Sequence, residues 1–149
     1  MSRVLIQRLA AVRQEFEAAR GALSYVEKLW SLATDDEVLR GITYTQPVAA
    51  LRKLEGTYLT RLFSEFETML RAYLGDRNEV SPAKAFDLIN RVARRQRANV
   101  PDDRRLAVHL VREYRNAIVH AQGTGVTAVS FRQALSALNQ YLVSLPDPR

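Results

Sequence analysis

The sequence predicts an all-α fold: a helical bundle of two long helices and three to four shorter ones, in a single domain over residues 1–149. Three observations carry this prediction. Apolar residues recur at spacings of three and four through most of the chain, the period of a helix that buries one side. No alternating apolar and polar run is long enough to indicate a β-strand. Most glycines and prolines fall between the periodic stretches, where helices begin and end.

The first two predicted helices are long. Residues 3–33 step alternately by four and three between apolar positions, which predicts one helix that Gly21 weakens or bends. These positions are Leu5, Leu9, Val12, Phe16, Ala19, Leu23, Val26 and Trp30. In a small domain the pattern more often reflects bundle packing than a coiled coil. A second helix is predicted from Pro47 to Leu74, and its wide apolar side indicates a central position.

Charged residues on the polar side of the second helix allow two arrangements. Arg61 and Glu65 stand one turn apart, so we expect them to pair with each other. Alternatively, Glu65 or Glu67 reaches an arginine on another helix. The first arrangement is the more ordinary one, and such an exposed pair stabilises a helix only slightly.

Four shorter helices are predicted, each bounded by a capping residue, a proline or a glycine. They cover residues 34–40, 81–97, 101–121 and 130–145. Ser81 and Ser130 are the expected N-caps of the second and the last of them. In the helix over 81–97, the side chains expected to point inward are Phe86, Ile89, Val92 and Ala93.

The helix over 101–121 has an apolar side and a polar side. The apolar residues, expected to be buried, are Ala107, Leu110, Val111, Tyr114, Ala117, Ile118 and Ala121, and the polar side carries His109, Arg112, Asn116 and His120. Arg115 and His120 diverge by about 140° around the helix and about 7.5 Å along it. Either Arg115 reaches round, or a second copy of the helix supplies the missing partner. The second arrangement predicts a homodimer whose two-fold interface lies near Val108, Arg112, Arg115 and Val119.

Composition excludes several classes of site. Cysteine is absent, so disulfides and thiol chemistry are excluded. The only histidines, His109 and His120, are eleven residues apart, about 16 Å along a helix, which is too far to share a metal ion. The sequence has no glycine-rich phosphate loop and no nucleophile elbow. We therefore expect neither a metal nor another cofactor. No apolar run is long enough for a membrane span or a signal peptide, so we expect a cytoplasmic protein.

Positive charge is concentrated in one segment. The formal net charge is +6, and eight arginines face three carboxylates between residues 91 and 115. Such a field attracts a polyanion such as RNA. The candidate RNA-binding residues are Arg94, Arg95, Arg97 and Arg112. The alternative is an ordinary solvated helix face.

Residues 115–120 read Arg-Asn-Ala-Ile-Val-His, the pattern Arg-Asn-x-x-x-His. On an amphipathic helix just before the last helix, this motif resembles that of the HEPN superfamily, small all-helical domains of which many are ribonucleases of toxin and defence systems. The order of the predicted helices is also similar. So is the stretch YLTRLFSEFETMLRAYL, residues 58–74, which looks like the second long helix of HEPN nucleases.

The resemblance implies a metal-independent endoribonuclease, a toxin or antiviral-defence effector. In such an enzyme the RNA supplies its own nucleophile, the ribose 2′-OH, while an imidazole moves protons and a guanidinium stabilises charge on the phosphate. The resemblance implies the catalytic roles as well: His120 as acid or base, Arg115 on the scissile phosphate and Asn116 orienting them. It further implies a composite site where two motif helices meet across a homodimer.

Two other functions stay open. A HEPN domain without activity would only dimerise or bind a nucleotide or a protein, and an unrelated helical adaptor would use its arginines on nucleic acid or an acidic protein. Gln122 stands where a subset of HEPN toxins carries a tyrosine that a partner nucleotidyltransferase modifies. This difference argues against neutralisation by that route and leaves a protein antitoxin open as a partner.

Overall fold

The computed structural model describes residues 2–32, 43, 45–75, 84–95, 100–120 and 125–146. Within them lie five helices: α1 (Ser2–Leu32), α2 (Thr45–Leu74), α3 (Ala85–Ala93), α4 (Asp102–His120) and α5 (Phe131–Val143). These ranges contain no β-strand, and the predicted all-α bundle with two long helices is confirmed. The predicted helix over 34–40, the expected cap Ser81 and the side chain of Leu5 lie outside the described residues. No helix in the described ranges combines the length and apolarity needed to cross a membrane.

The two long helices pack antiparallel. Arg61 of α2 donates to both carboxylate oxygens of Glu15 on α1, and Arg8 of α1 lies 3.6 Å from Glu65 of α2. Residue numbers therefore increase along α1 in the direction in which they decrease along α2. These contacts show that the expected pairing of Arg61 with Glu65 is wrong. Both side chains lie at the seam between the helices, where each meets an oppositely charged partner on α1.

The hydrophobic core follows the half of α2 that the shorter helices cover. The buried side chains of α2 recur at helical spacing: Leu59, Leu62, Phe63, Phe66, Met69, Leu70 and Tyr73. On α1, Leu9, Val12 and Phe16 are buried, whereas Ala19, Leu23, Val26 and Trp30 are half-buried. The apolar pattern of α1 thus predicted the face that packs, but the core extends over only its first half. The central position predicted for α2 is confirmed by its contacts with each of the other four helices.

The last helix joins opposite parts of the bundle. Ser130 is its N-cap, as predicted, and forms a capping box with the residue three places on. Phe131 stacks on Phe16 of α1 with ring centroids 4.2 Å apart. Further along α5, the buried Tyr141 donates its hydroxyl hydrogen to the carbonyl oxygen of Ile89 on α3, at 2.6 Å. Burial raises the pKa of Tyr141 well above its usual value, so the phenol remains a donor.

The third helix is shorter than predicted and faces differently. It begins at Ala85, after Lys84, and ends at Ala93. Ile89 and Val92 are buried as expected, but Phe86 is 48% exposed. Phe86 and Val92 are six positions apart, about 120° round a helix, so one narrow apolar side cannot bury both. Leu88 takes the inward place instead, and the expectation for Phe86 is wrong.

Candidate functional site

The helix that carries the motif, α4, is rotated relative to its expected apolar side. Its fully buried side chains are Val108 and Val111, whereas Leu106 is 60% exposed and Leu110 is 49% exposed. Val108 therefore belongs to the core of the chain, and its predicted place at a two-fold interface is wrong. The half-buried residues that flank the two valines include Arg104, Arg105, Arg112 and Arg115. Long arginine stems can pack along the seams between helices while the guanidinium groups stay at the edges, which is why polar positions turn inward here.

Arg115 is held between α4 and α2. Its Nη1 donates to Oδ1 of Asn116 at 3.0 Å, and its Nη2 lies 3.5 Å from Oε2 of Glu67 on α2. The guanidinium lies over the buried ring of Phe63, 5.5 Å from the centroid. Only 23% of the Arg115 side chain and 19% of the Glu67 side chain are exposed. The acidic residue of α2 that supports the motif helix is therefore Glu67.

Asn116 sets the direction in which Arg115 points. Adjacent residues diverge by about 100° around a helix, so this hydrogen bond forms only when Arg115 bends round α4. Asn116 itself lies about 40° from His120 around the helix. The amide thus draws the guanidinium toward the side of α4 that carries His120.

His120 is the last residue of α4, and its side chain is exposed. Among the described residues it forms no hydrogen bond with Arg115 or Asn116. It lies about 7.5 Å beyond Arg115 along the helix axis. Within this chain Arg115 and Asn116 are therefore brought together, and His120 lies apart from them and faces solvent.

The arginines expected to bind RNA differ in what they contact. Arg94, at the C-terminal end of α3, is exposed. Arg95 turns back to α2, where it donates to the carbonyl oxygen of Tyr73 at 2.6 Å and lies 5.4 Å from the centroid of that ring. Arg95 thus ties the end of α3 to the end of α2. Arg97 lies outside the described residues.

A groove between α3 and α4 was not expected from the sequence. This α3–α4 groove has a volume of about 620 Å³, and its lining includes Phe86, Asp87, Arg91, Arg94, Arg105 and His109. The rings of Phe86 and His109 lie 4.8 Å apart at 34°, and the guanidinium of Arg112 lies 5.0 Å from the Phe86 centroid. Arg112 also pairs with Glu113 at 3.0 Å. The sequence signal for this groove was the position of Phe86 on α3, at a wide angle around the helix from residues that are buried.

His109 presents an uncharged ring to the groove at neutral pH. Its Nε2 lies 3.4 Å from Oδ1 of Asn90, and its Nδ1 is buried without a partner in the described part of the chain. Burial is the main cause that lowers the pKa of His109; the positive charges of Arg112 and Arg105 lower it further, against the opposing effect of Glu113. The imidazole beside Phe86 therefore adds an uncharged aromatic ring to the groove and not a positive charge.

The motif on α4 supplies one guanidinium, one amide and one exposed imidazole, those of Arg115, Asn116 and His120. Across the described ranges, no three histidine, aspartate, glutamate or cysteine side chains are grouped so that they could hold a metal ion. Comparison of the chain with protein-family models, curated proteins and solved structures gives no match.

Proposed function

We propose that this protein is a metal-independent endoribonuclease of the HEPN type that acts as a homodimer. The observation that carries the proposal is the guanidinium of Arg115, fixed by Asn116 and Glu67 on the helix that ends at the exposed His120. A guanidinium has five N–H donors, so these two contacts leave others for phosphate oxygens. An imidazole open to solvent can accept or donate a proton.

The reaction needs only these groups and the RNA itself. The ribose 2′-oxygen attacks the adjacent phosphorus, so that a 2′-O–P bond forms and the bond from phosphorus to the 5′-oxygen breaks. Imidazole takes the proton of the 2′-OH and supplies one to the leaving 5′-oxygen. Arg115 stabilises the charge on the non-bridging oxygens while Asn116 keeps it oriented. The products are a 2′,3′-cyclic phosphate and a 5′-hydroxyl, and DNA is not cut because it lacks the 2′-OH.

Two copies of α4 complete the site in this proposal. His120 stands apart from Arg115 within one protomer, so a second copy of the motif helix is needed to close the distance. The outer side of α4 offers a surface for it, since the exposed Leu110 shares that side with Ala117. A two-fold crossing of the helices near Ala117, about 60° from His120 around α4, sets both copies of His120 beside the crossing, and Asn116 turns Arg115 toward that side.

The biological role follows from the reaction and from the HEPN resemblance. An endoribonuclease without a cofactor requirement acts on RNA wherever it meets it. Such an activity suits a toxin or antiviral-defence effector, restrained in the cell by a protein antitoxin.

Cleavage of labelled single-stranded RNA in EDTA tests this function. Wild-type protein should release products with 2′,3′-cyclic phosphate ends, and His120→Ala should abolish the cleavage. Arg115→Lys should be severely impaired, because lysine keeps the charge but lacks the planar fork that grips two phosphate oxygens. The matched control is Arg13→Lys on the exposed face of α1, which should cleave at the wild-type rate.

Two outcomes would contradict the proposal. Undiminished cleavage by both His120→Ala and Arg115→Lys would put the catalytic groups elsewhere. A wild-type protein that binds RNA but leaves it intact would favour the alternative function, a non-catalytic HEPN-like domain that dimerises or binds a nucleotide or protein.

A further inference from the structure

We propose that the α3–α4 groove is a nucleotide-binding site, with the base on the ring of Phe86 and the phosphate between Arg94 and Arg105. In naming an RNA strand as the source of that nucleotide, the inference rests on the proposed function. The affinity of the groove for a nucleotide does not depend on it.

The base would stack on a ring that is exposed and yet fixed in place. Phe86 keeps 48% of its surface exposed although it contacts both His109 and Arg112 on α4. An apolar phenylalanine ring has no favourable interaction with water. An exposed ring that two neighbours hold in place is therefore a preformed stacking surface. Bases of any kind stack on such rings because each has a π-face.

The phosphate would meet an excess of positive charge in the same groove. Arg91, Arg94 and Arg105 line it against one carboxylate, that of Asp87. Arg105 is paired at 2.8 Å with Asp102, whose carboxylate is largely exposed. An exposed ion pair of this kind is weak, so a phosphate can replace Asp102 at little cost. An acidic peptide would satisfy the arginines but would leave the ring of Phe86 unused.

The size and direction of the groove suit one unit of a strand. Its volume of about 620 Å³ is enough for one nucleotide, and the groove is open to solvent along its length. His109, at the groove, and His120, at the end of α4, lie within about 20° of each other around the helix and about 16 Å apart along it. A strand with one nucleotide in the groove can therefore run along α4 toward the catalytic motif.

Fluorescence anisotropy with labelled single-stranded RNA tests the site. All proteins carry His120→Ala, which removes the proposed cleavage, and EDTA in the buffer suppresses any metal-dependent contaminating nuclease. Phe86→Leu, which keeps an apolar side chain but removes the π-face, should weaken binding by about five- to a hundredfold. Phe86→Trp should retain it. Arg94→Gln should weaken binding independently of the ring and reduce its dependence on salt.

The matched control is Tyr25→Leu, since Tyr25 is an aromatic residue on α1 that is 64% exposed and does not line the groove. This variant should bind like the parent protein. Thermal unfolding checks that each variant is folded. Equal binding by the parent, Phe86→Leu and Tyr25→Leu would overturn the proposal. So would the finding that oligoglutamate displaces the labelled RNA as effectively as unlabelled RNA does.

Competition distinguishes the sources of the nucleotide. A strand-binding groove predicts that unlabelled RNA and DNA of the same sequence compete far better than adenosine monophosphate. Equal competition by the mononucleotide would instead assign the groove to a free nucleotide and would overturn its assignment to an RNA strand. Failure of wild-type protein to cleave RNA would leave the Phe86 result intact, so the two proposals fail separately.

Discussion

The carboxylate of Glu67 on α2 lies 3.5 Å from the guanidinium of Arg115 on α4, and both side chains are mostly withdrawn from water. Because each charge is largely desolvated, each depends on the other for compensation. Phe63 and Glu67 are one turn apart on α2, so one strip of that helix offers Arg115 both a ring and a carboxylate. Asn116 and Glu67 thus hold Arg115 from two sides, and the proposed phosphate contact must use the remaining N–H groups of its guanidinium.

Glu67→Gln should destabilise the protein and reduce RNA cleavage. The substitution keeps the shape of the side chain but leaves the half-buried Arg115 without its counter-charge. The unfolding free energy in urea should fall by about 1–2 kcal/mol, between the values typical of exposed and buried pairs. As a control, Glu17→Gln breaks the exposed 3.7 Å pair with Arg13 and should cost less than about 0.5 kcal/mol. Equal losses in the two variants would show that the Arg115 pair is no better shielded than a surface pair.

Leu110→Glu should dissociate the proposed homodimer. A carboxylate on the outer side of α4 would have to be desolvated in a two-fold interface, which is costly without a partner charge. Light scattering at micromolar concentration should show a dimer for wild type and a monomer for Leu110→Glu, with loss of cleavage. The control is Val143→Glu on the exposed side of α5, which should remain dimeric and active. A wild-type protein that is monomeric under these conditions would rule out the composite site.

Stability should decline below about pH 6.5 in part because of His109. Burial and the charges of Arg112 and Arg105 hold its pKa below the ordinary 6.5 when the chain is folded. As pH falls through that ordinary value, the unfolded chain takes up a proton that the folded chain does not. The contribution of His109 is therefore complete above about pH 6.5 and is lost toward the lower folded pKa. Urea midpoints between about pH 7 and 5.5 should fall more steeply for wild type than for His109→Gln. Identical slopes would mean that the ring titrates alike in both states.

Mutation of Arg94 should affect RNA binding and mutation of Arg95 should affect stability, although the two are neighbours in the basic segment. Arg94→Ala should weaken RNA binding and lower the salt slope by about one. Arg95→Ala should change binding little, because its side chain is engaged with the carbonyl oxygen and the ring of Tyr73. It should instead lower the unfolding free energy by about 1 kcal/mol, the typical net contribution of one hydrogen bond at an exposed side chain. Similar losses of RNA affinity in both variants would indicate a diffuse basic surface.

The positions of the helices could be predicted because local rules determine them. The helix expected over 101–121 is Asp102–His120, and the one expected over 130–145 is Phe131–Val143 behind the cap Ser130. Both have caps or prolines at their starts and a clear apolar period. The end of α3 was missed because the apolar period stops at Ala93, while the arginines after it gave no sign of a turn.

Which side of α4 faces inward could not be read from the apolar residues alone. Its arginines count as polar in any pattern, yet their stems fill the seams around Val108 and Val111. Leu110 was assigned to the core for that reason and lies half outside it. The sequence alone did not identify the partner of Arg115 either. Glu65 and Glu67 are both acidic residues of one helix, and only the packing of α2 against α4 selects Glu67.

The hydrogen bond from Tyr141 to Ile89 ties the α3 wall of the α3–α4 groove to the end of α5. A nine-residue helix is too short to persist in water by itself, so α3 lasts only as long as its attachments to the bundle. Detaching it would leave the carbonyl of Ile89 and the phenol of Tyr141 without each other and would expose part of the core. The amide hydrogens of α3 should therefore be protected from exchange while Tyr141 holds its hydrogen bond to Ile89, which couples the groove wall to the closing helix.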